Sequence, residues 1–259
     1  MEKNNLPFQV FLSYLLDIFA NIPLNFQKIS YNDFLLILIT SCFGVWLLVL
    51  FLILLTTRLS SWLIRKAMHL LGGAYISLIV FKYDTFLGLI LSLILFLILF
   101  LSLLVNSKFY LFKKILTLNR NNADKDATVL FNTISTLVIF FILFLIFHNN
   151  PLVFTAGLLV LTIADSAGEI AGRFFPFMEY KLFSKKSLSG SLAVFLFSIL
   201  AFITTLFYYN YLIEINFIWI FIVGSFICTL VEACSWKWID NLLMPFFGSL
   251  IMFWYVSVI

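Results

Sequence analysis

Charge is what this 259-residue chain has least of. Asp, Glu, Lys and Arg make up 11% of it, where a soluble domain holds roughly 25%. That scarcity excludes a large soluble domain, and no polar stretch much longer than residues 106–126 is present to form one. Cysteine is also rare. Cys42, Cys228 and Cys234 stand far apart, without a C-x-x-C pair, and read as small apolar helix residues that say little about redox compartment. The basic residues are few and form no aromatic-interleaved patch, which argues against nucleic-acid binding. A phosphate-cradling G-x-x-x-x-G-K-[ST] loop is missing. So is a small-residue cleavage site after a short apolar core, so no secretory signal peptide is expected.

Apolar residues, at 63%, fill the space that charge leaves. The run from Phe34 to Leu55 is long enough to cross a bilayer, which takes about 20 such residues. The pattern predicts an all-α, polytopic transmembrane helix bundle. Eight spans are expected, at about 34–56, 62–81, 86–105, 127–147, 151–172, 188–207, 215–235 and 239–258. An N-terminal segment, 1–33, precedes a single integral-membrane catalytic domain, 34–259. Within it, residues 6–22 carry Gln9, Ser13, Asp17 and Asn21 at steps of four. That narrow polar stripe predicts an interfacial or extra membrane helix, ended by Pro23.

Lys and Arg set the orientation, because they concentrate on the cytoplasmic side of membrane proteins. Of the 16 in the chain, only Lys3, Lys28 and Lys82 lie outside the loops that follow the first, third, fifth and seventh spans. Those odd-numbered loops are expected to face the cytoplasm. Every cluster of ionisable residues at a span boundary then falls on that one side. Arg65, Lys66 and His69 open the second span, and Asp165, Glu169 and Arg173 close the fifth. Lys186, Ser187, Gly190 and Ser191 open the sixth, Glu232 closes the seventh, and Asp240 and Asn241 open the eighth. One cytoplasmic-face site built from helix ends is the economical reading.

The central stretch is Leu161–Ser191. Asp165, Glu169 and Arg173 recur at steps of four, which keeps them on one side of a helix. Two carboxylates one turn apart suit magnesium, which takes one or two carboxylates with waters and phosphates. An arginine one turn further on suits phosphate oxygens. Ala164, Gly168 and Gly172 form a small-x-x-x-small series on the same helix, which predicts close helix packing. The basic, serine-rich turn Ser184–Ser191 offers a helix start to phosphate, or simply an N-cap. Positive-inside anchoring accounts for Arg65 and Lys66, and hydrogen-bonded structure for His69, as readily as a site does. Asp240 can cap the eighth span. Glu232 sits where the helix dipole disfavours an anion, so a metal or a basic partner is expected beside it.

Taken in order, these stretches resemble the CTP-dependent polyprenol kinases: dolichol kinase, phytol and farnesol kinase, and the yeast-type diacylglycerol kinase. The matching residues are Arg65, Lys66 and His69 in R-K-x-x-H, then Asp165, Gly168, Glu169, Gly172 and Arg173 in D-x-x-[AG]-[DE]-x-x-G-R. Lys186, Ser187, Gly190 and Ser191 follow in K-S-x-x-G-S, and Glu232, Ala233, Asp240, Asn241 and Pro245 in E-A…D-N-x-x-x-P. Ser189 stands where that family commonly has an acid. The central pair of motifs also resembles phosphatidate cytidylyltransferase. The resemblance implies a cytidine nucleotide, CTP, with Mg2+ as cofactor and a membrane lipid alcohol as acceptor. It implies that Asp165 and Glu169 hold the metal. Arg65, Lys66, Arg173, Lys186, Ser187, Gly190, Ser191 and Asn241 would bind the nucleotide, and His69, Glu232 or Asp240 would handle the lipid hydroxyl. Transfer of CMP to a lipid phosphate, and a non-catalytic scaffold or transporter, are the alternative readings. Whether the chain works alone or as a homo-oligomer is not written in these motifs.

Overall fold

The computed structural model describes residues 29–57, 59–95, 125–212, 214–235 and 239–259. The expected N-terminal helix over 6–22, the far half of the third span, the basic loop after it and Lys237 lie outside the described residues. What is described is all-α except for one two-stranded hairpin. Six helices are long and apolar enough to cross a membrane, and two shorter apolar helices accompany them, Phe86–Leu95 and Ser135–Phe147. This is the pattern of an all-α membrane protein.

The chain divides into two compact units, Pro23–Leu130 and a second that includes Phe131–Ile259. The boundary falls inside the span expected over 127–147. In the first unit, α1 (Tyr31–Thr56) starts with a capping box. The Ser30 hydroxyl accepts from the Asp33 N–H at 2.9 Å, and the Asp33 carboxylate accepts from the Ser30 N–H at 3.3 Å. Asp33 is fully buried, and it also accepts from the Thr85 hydroxyl (2.6 Å) and the Asp84 N–H (2.8 Å), which offsets the cost of burying its charge. One carboxylate therefore fastens the start of α1 to the turn before α3 (Phe86–Leu95). Between them runs α2 (Ser61–Ile79), which ends in a 3-10 turn, Val80–Lys82.

The second unit holds most of α4 (Lys125–Phe147) and then one long helix, Pro151–Phe174. Asn150 caps it, accepting from the Val153 N–H at 3.3 Å, and Pro151 occupies the first turn, where its missing N–H costs nothing. This helix is the middle of the unit. Its most apolar window is 78% buried, against 44% for Leu188–Tyr208 and for Asp240–Val258. It is not uniform: α5 (Pro151–Leu159) passes through a π turn, Val160–Ala164, into α6 (Asp165–Phe174). A π turn inserts one extra residue into the helix, a device common at functional sites. Here it falls immediately before Asp165.

After α6 come β1 (Glu179–Lys181), β2 (Lys185–Ser187) and α7 (Leu188–Tyr208). A 3-10 turn, Ile215–Phe217, leads into α8 (Ile218–Cys234), and α9 (Asp240–Val258) closes the unit. Phe140 packs edge-on against Phe154, Phe202 stacks on Phe221, and Phe221 lies 4.4 Å from the Tyr255 ring. Gly157 lets α9 come close, since a Cβ there would lie 2.4 Å from the Pro245 carbonyl oxygen. Pro245 sits inside α9 and has no N–H. The Asn241 carbonyl, four residues earlier, therefore loses its helical partner near the start of α9.

Candidate functional site

The site begins with a glycine seam. A Cβ at Gly168 would lie 2.4 Å from Val194 Cγ2, and one at Gly172 would lie 2.9 Å from Ser187 Oγ. From the other side, a Cβ at Gly190 would lie 3.0 Å from the Gly168 carbonyl. The expected small-residue series is thus a packing seam between α6 and the start of α7. It draws two stretches of the site together, one with acids and the other with the lysine.

Between α6 and α7 the chain forms a β-hairpin where the sequence suggested only a basic turn. Glu179 pairs with Ser187, Tyr180 with Lys186, and Lys181 with Lys185. The strands are three residues long and contain no β-branched residue, so no alternating pattern announced them. The chain reverses into β1 at Met178, a non-glycine residue with φ of 47°, a conformation uncommon outside turns. Ser189 fixes this reversal: its hydroxyl donates to the Phe175 carbonyl and accepts from the Phe177 N–H at 3.4 Å. The Leu188 N–H bonds the Phe177 and Met178 carbonyls at 3.1 and 3.2 Å. Ser189 is therefore the staple that lays the hairpin against α7.

The hairpin aims Lys186 inward. Its ammonium pairs with Glu232 Oε1 on α8. Burial opposes the charge on Lys186, but the nearby carboxylates of Glu232, Asp240 and Asp165 outweigh it and hold the ammonium above the ordinary lysine range. Glu232 is 7% exposed. Its second oxygen, Oε2, is buried and accepts no hydrogen bond from the described residues. The basic partner expected beside Glu232 is thus Lys186, 46 residues away in sequence. The Ser184 hydroxyl also reaches the Ser235 carbonyl at 3.4 Å, tying the hairpin to the end of α8.

The remaining sequence candidates take these places. Arg173 bonds Glu169 at 2.7 Å across one helical turn, with Arg173 half exposed; such a pair adds little stability. Ser187 is the N-cap of α7 and accepts from the Gly190 N–H at 3.2 Å. Ser191 shares a hydrogen bond with the Tyr180 hydroxyl. The helix start offered to phosphate is thus partly engaged by its own cap and by the hairpin. Asp240 is the first residue of α9, after an Ile239 cap, and accepts from the Asn241 N–H at 2.9 Å. Arg65, Lys66 and His69 lie on α2 in the other unit, where Lys66 is 9% exposed.

Lys186 thus pairs with Glu232 on α8, and the carboxylates of Asp240 on α9 and Asp165 on α6 also act on its charge. Among the described residues, no group of three or more His, Cys, Asp or Glu is placed to hold a metal by itself. Tyr180 and Ser235, which also shape the site, carried no motif signal. Compared with known proteins, the chain matches no family model, no curated protein and no solved structure.

Proposed function

We propose that this chain is an integral-membrane, CTP-dependent lipid kinase. It passes the γ-phosphate of CTP to the hydroxyl of a membrane lipid alcohol of the polyprenol, phytol or diacylglycerol class. One observation carries the reading. Lys186 pairs with Glu232, and Asp165 and Asp240 also act on its charge; the four residues belong to three of the stretches that carry the family resemblance. The distribution of Lys and Arg along the sequence supports a cytoplasmic position for these residues, since all but Lys3, Lys28 and Lys82 fall in the loops after the odd-numbered expected spans.

The donor set fits magnesium. Asp165 and Glu169 sit on successive turns of α6, a spacing at which two carboxylates can share one cation. Magnesium needs only one or two protein carboxylates when phosphates and waters complete its shell. When bound, it would neutralise phosphate charge, which is most of what phosphoryl transfer asks of an enzyme.

The chain's own residues divide the rest of the work. Asp165 and Glu169 hold the cation end of the site, and Arg173 fixes Glu169 and reaches towards phosphate oxygens. Lys186 brings a charge that Glu232 keeps protonated and oriented. Ser187, Gly190, Ser191 and Asn241 complete the nucleotide-binding set of this unit. The lipid hydroxyl oxygen attacks the γ-phosphorus, the bond to the bridging oxygen breaks, and CDP leaves. The hydroxyl proton passes to a carboxylate. Glu232 and Asp240 are the candidates, and Glu232 has a buried oxygen, Oε2, that accepts no hydrogen bond from the described residues.

The test uses the purified protein in detergent with magnesium, a mixed lipid extract, and CTP labelled at either the γ- or the α-phosphate. Lipid labelled from the γ position is expected. Lipid labelled only from the α position means CMP transfer and overturns the kinase. Label from neither position, with ATP and candidate alcohols also tried, leaves a scaffold or transporter.

A further inference from the structure

The hairpin between α6 and α7 exposes an apolar rim that none of the site chemistry uses. Phe175, Phe177, Met178, Leu182 and Phe183 are 73, 59, 65, 58 and 66% exposed. They are not on a lipid-facing helix. They sit on the turns and the tip of a structure whose helical neighbours end at Phe174 and begin at Leu188. We propose that this hairpin lies in the headgroup layer of the bilayer its flanking helices cross, with its apolar rim in contact with lipid.

Three observations commit the rim to lipid. The first is reach. A three-residue strand extends only about 10 Å, comparable with the headgroup layer on one side of a membrane. The hairpin therefore cannot carry its rim far from the helix ends. It is also held down, by Ser184 to the Ser235 carbonyl on α8 and by Ser189 to the chain leaving α6. The second is its backbone. The β1–β2 ladder and the Leu188 N–H bonds satisfy main-chain groups within the hairpin, which lets a non-helical segment sit where water is thin. The third is charge. Lys181 and Lys185 flank the Leu182–Phe183 tip against a single acid, Glu179, which pairs with Lys185 at 2.7 Å. A basic border around exposed phenylalanines is the composition of segments that lie on anionic membrane surfaces.

The inference does not depend on kinase activity, and neither does its test. Cys42 and Cys234 are the exposed cysteines, and Cys228 is buried. With Cys42 and Cys234 replaced by serine, a nitroxide is attached at Phe183→Cys and, separately, at Phe177→Cys. The whole chain is reconstituted in phosphatidylcholine vesicles containing a third phosphatidylglycerol. Ile222→Cys, 49% exposed on α8, serves as the lipid-embedded reference. Collision with dissolved oxygen should exceed collision with a water-soluble nickel complex at both hairpin sites, at a shallower depth than Ile222. Nickel access as high as for free label in water overturns the proposal. Shielding from oxygen and nickel alike would show a protein partner on the rim and overturns it as well. Using two label sites, one on the tip and one on the turn, keeps a single distorting substitution from deciding the result.

Discussion

The two ends of the Phe131–Ile259 unit are built from the same helices and differ almost completely in chemistry. At one end, where α5 and α8 begin and α7 and α9 finish, polar contacts are neutral. Thr155 and Tyr209 share a hydrogen bond at 3.0 Å, the Tyr255 hydroxyl accepts from the Glu214 N–H at 3.0 Å, and Trp219 packs edge-on against Trp254. Tyrosine and tryptophan are what a membrane interface ordinarily receives. At the other end stand Asp165, Glu169, Arg173, Lys186, Glu232 and Asp240. The aromatic end, where Glu214 is the one acid among the contacts named, shows that these helices can be closed mainly by neutral groups. The charges at the opposite end therefore exceed what packing requires, and that excess is what the proposed site rests on.

The largest expected effect is on stability. Lys186→Met leaves Glu232 buried without its partner, and breaking a buried pair costs about 3–5 kcal/mol. Thermal unfolding in detergent should show that loss, and Lys186→Met with Glu232→Gln should recover much of it. Equal stability of the single and double variants would show that the pair is not coupled. The pH dependence has a definite sign. A lysine raised above 10.5 on folding contributes fully below that value and loses its contribution as pH rises through the folded one. The gap between wild type and Lys186→Met should hold across neutral pH and narrow only above 10.5.

Next comes Asp165→Asn. It preserves shape and removes one charge, so the fold should survive. Lipid phosphorylation should fall by about 100- to 1,000-fold, the usual effect of removing a group that stabilises transferring charge. Near wild-type turnover would break the proposed role of the charged end. Gly168→Val is a smaller change in the same region. Its side chain meets Val194 across the α6–α7 seam, and overpacking of this kind costs about 1–3 kcal/mol. Because the seam positions the acids against the hairpin, activity should drop with stability. A variant of full stability and full activity would mean the seam yields freely.

How much of this was legible in sequence follows from the range of each interaction. Long apolar runs mark helices by themselves, so α1, α2 and α7–α9 fall where composition placed them. The seam was half visible: Gly168 and Gly172 announce a close approach, but only the fold shows that Gly190 is what approaches. The Lys186–Glu232 pair joins residues 46 positions apart, and Glu232 disclosed only that some partner was needed. The hairpin and the π turn before Asp165 were not visible at all. Three-residue strands without β-branched residues have no periodic signature, and a π turn inside an apolar helix is set by packing rather than by any residue type.

The smallest effect belongs to the aromatic end and checks the comparison from the other side. Tyr209→Phe keeps the ring and removes the hydroxyl that pairs with Thr155, which is fully buried. A neutral hydrogen bond contributes about 1 kcal/mol net, so a small fall in thermal stability is expected. Binding of CTP, followed by protection against heat, should not change, because no charged group of the site lies at that end. If Tyr209→Phe weakened nucleotide binding while Asp165→Asn did not, the two ends would have been assigned the wrong roles. The ionic cluster would then be an expensive form of helix closure. If stability alone shifts, the division stands, with neutral hydroxyls closing one end of the bundle and charges left over for chemistry at the other.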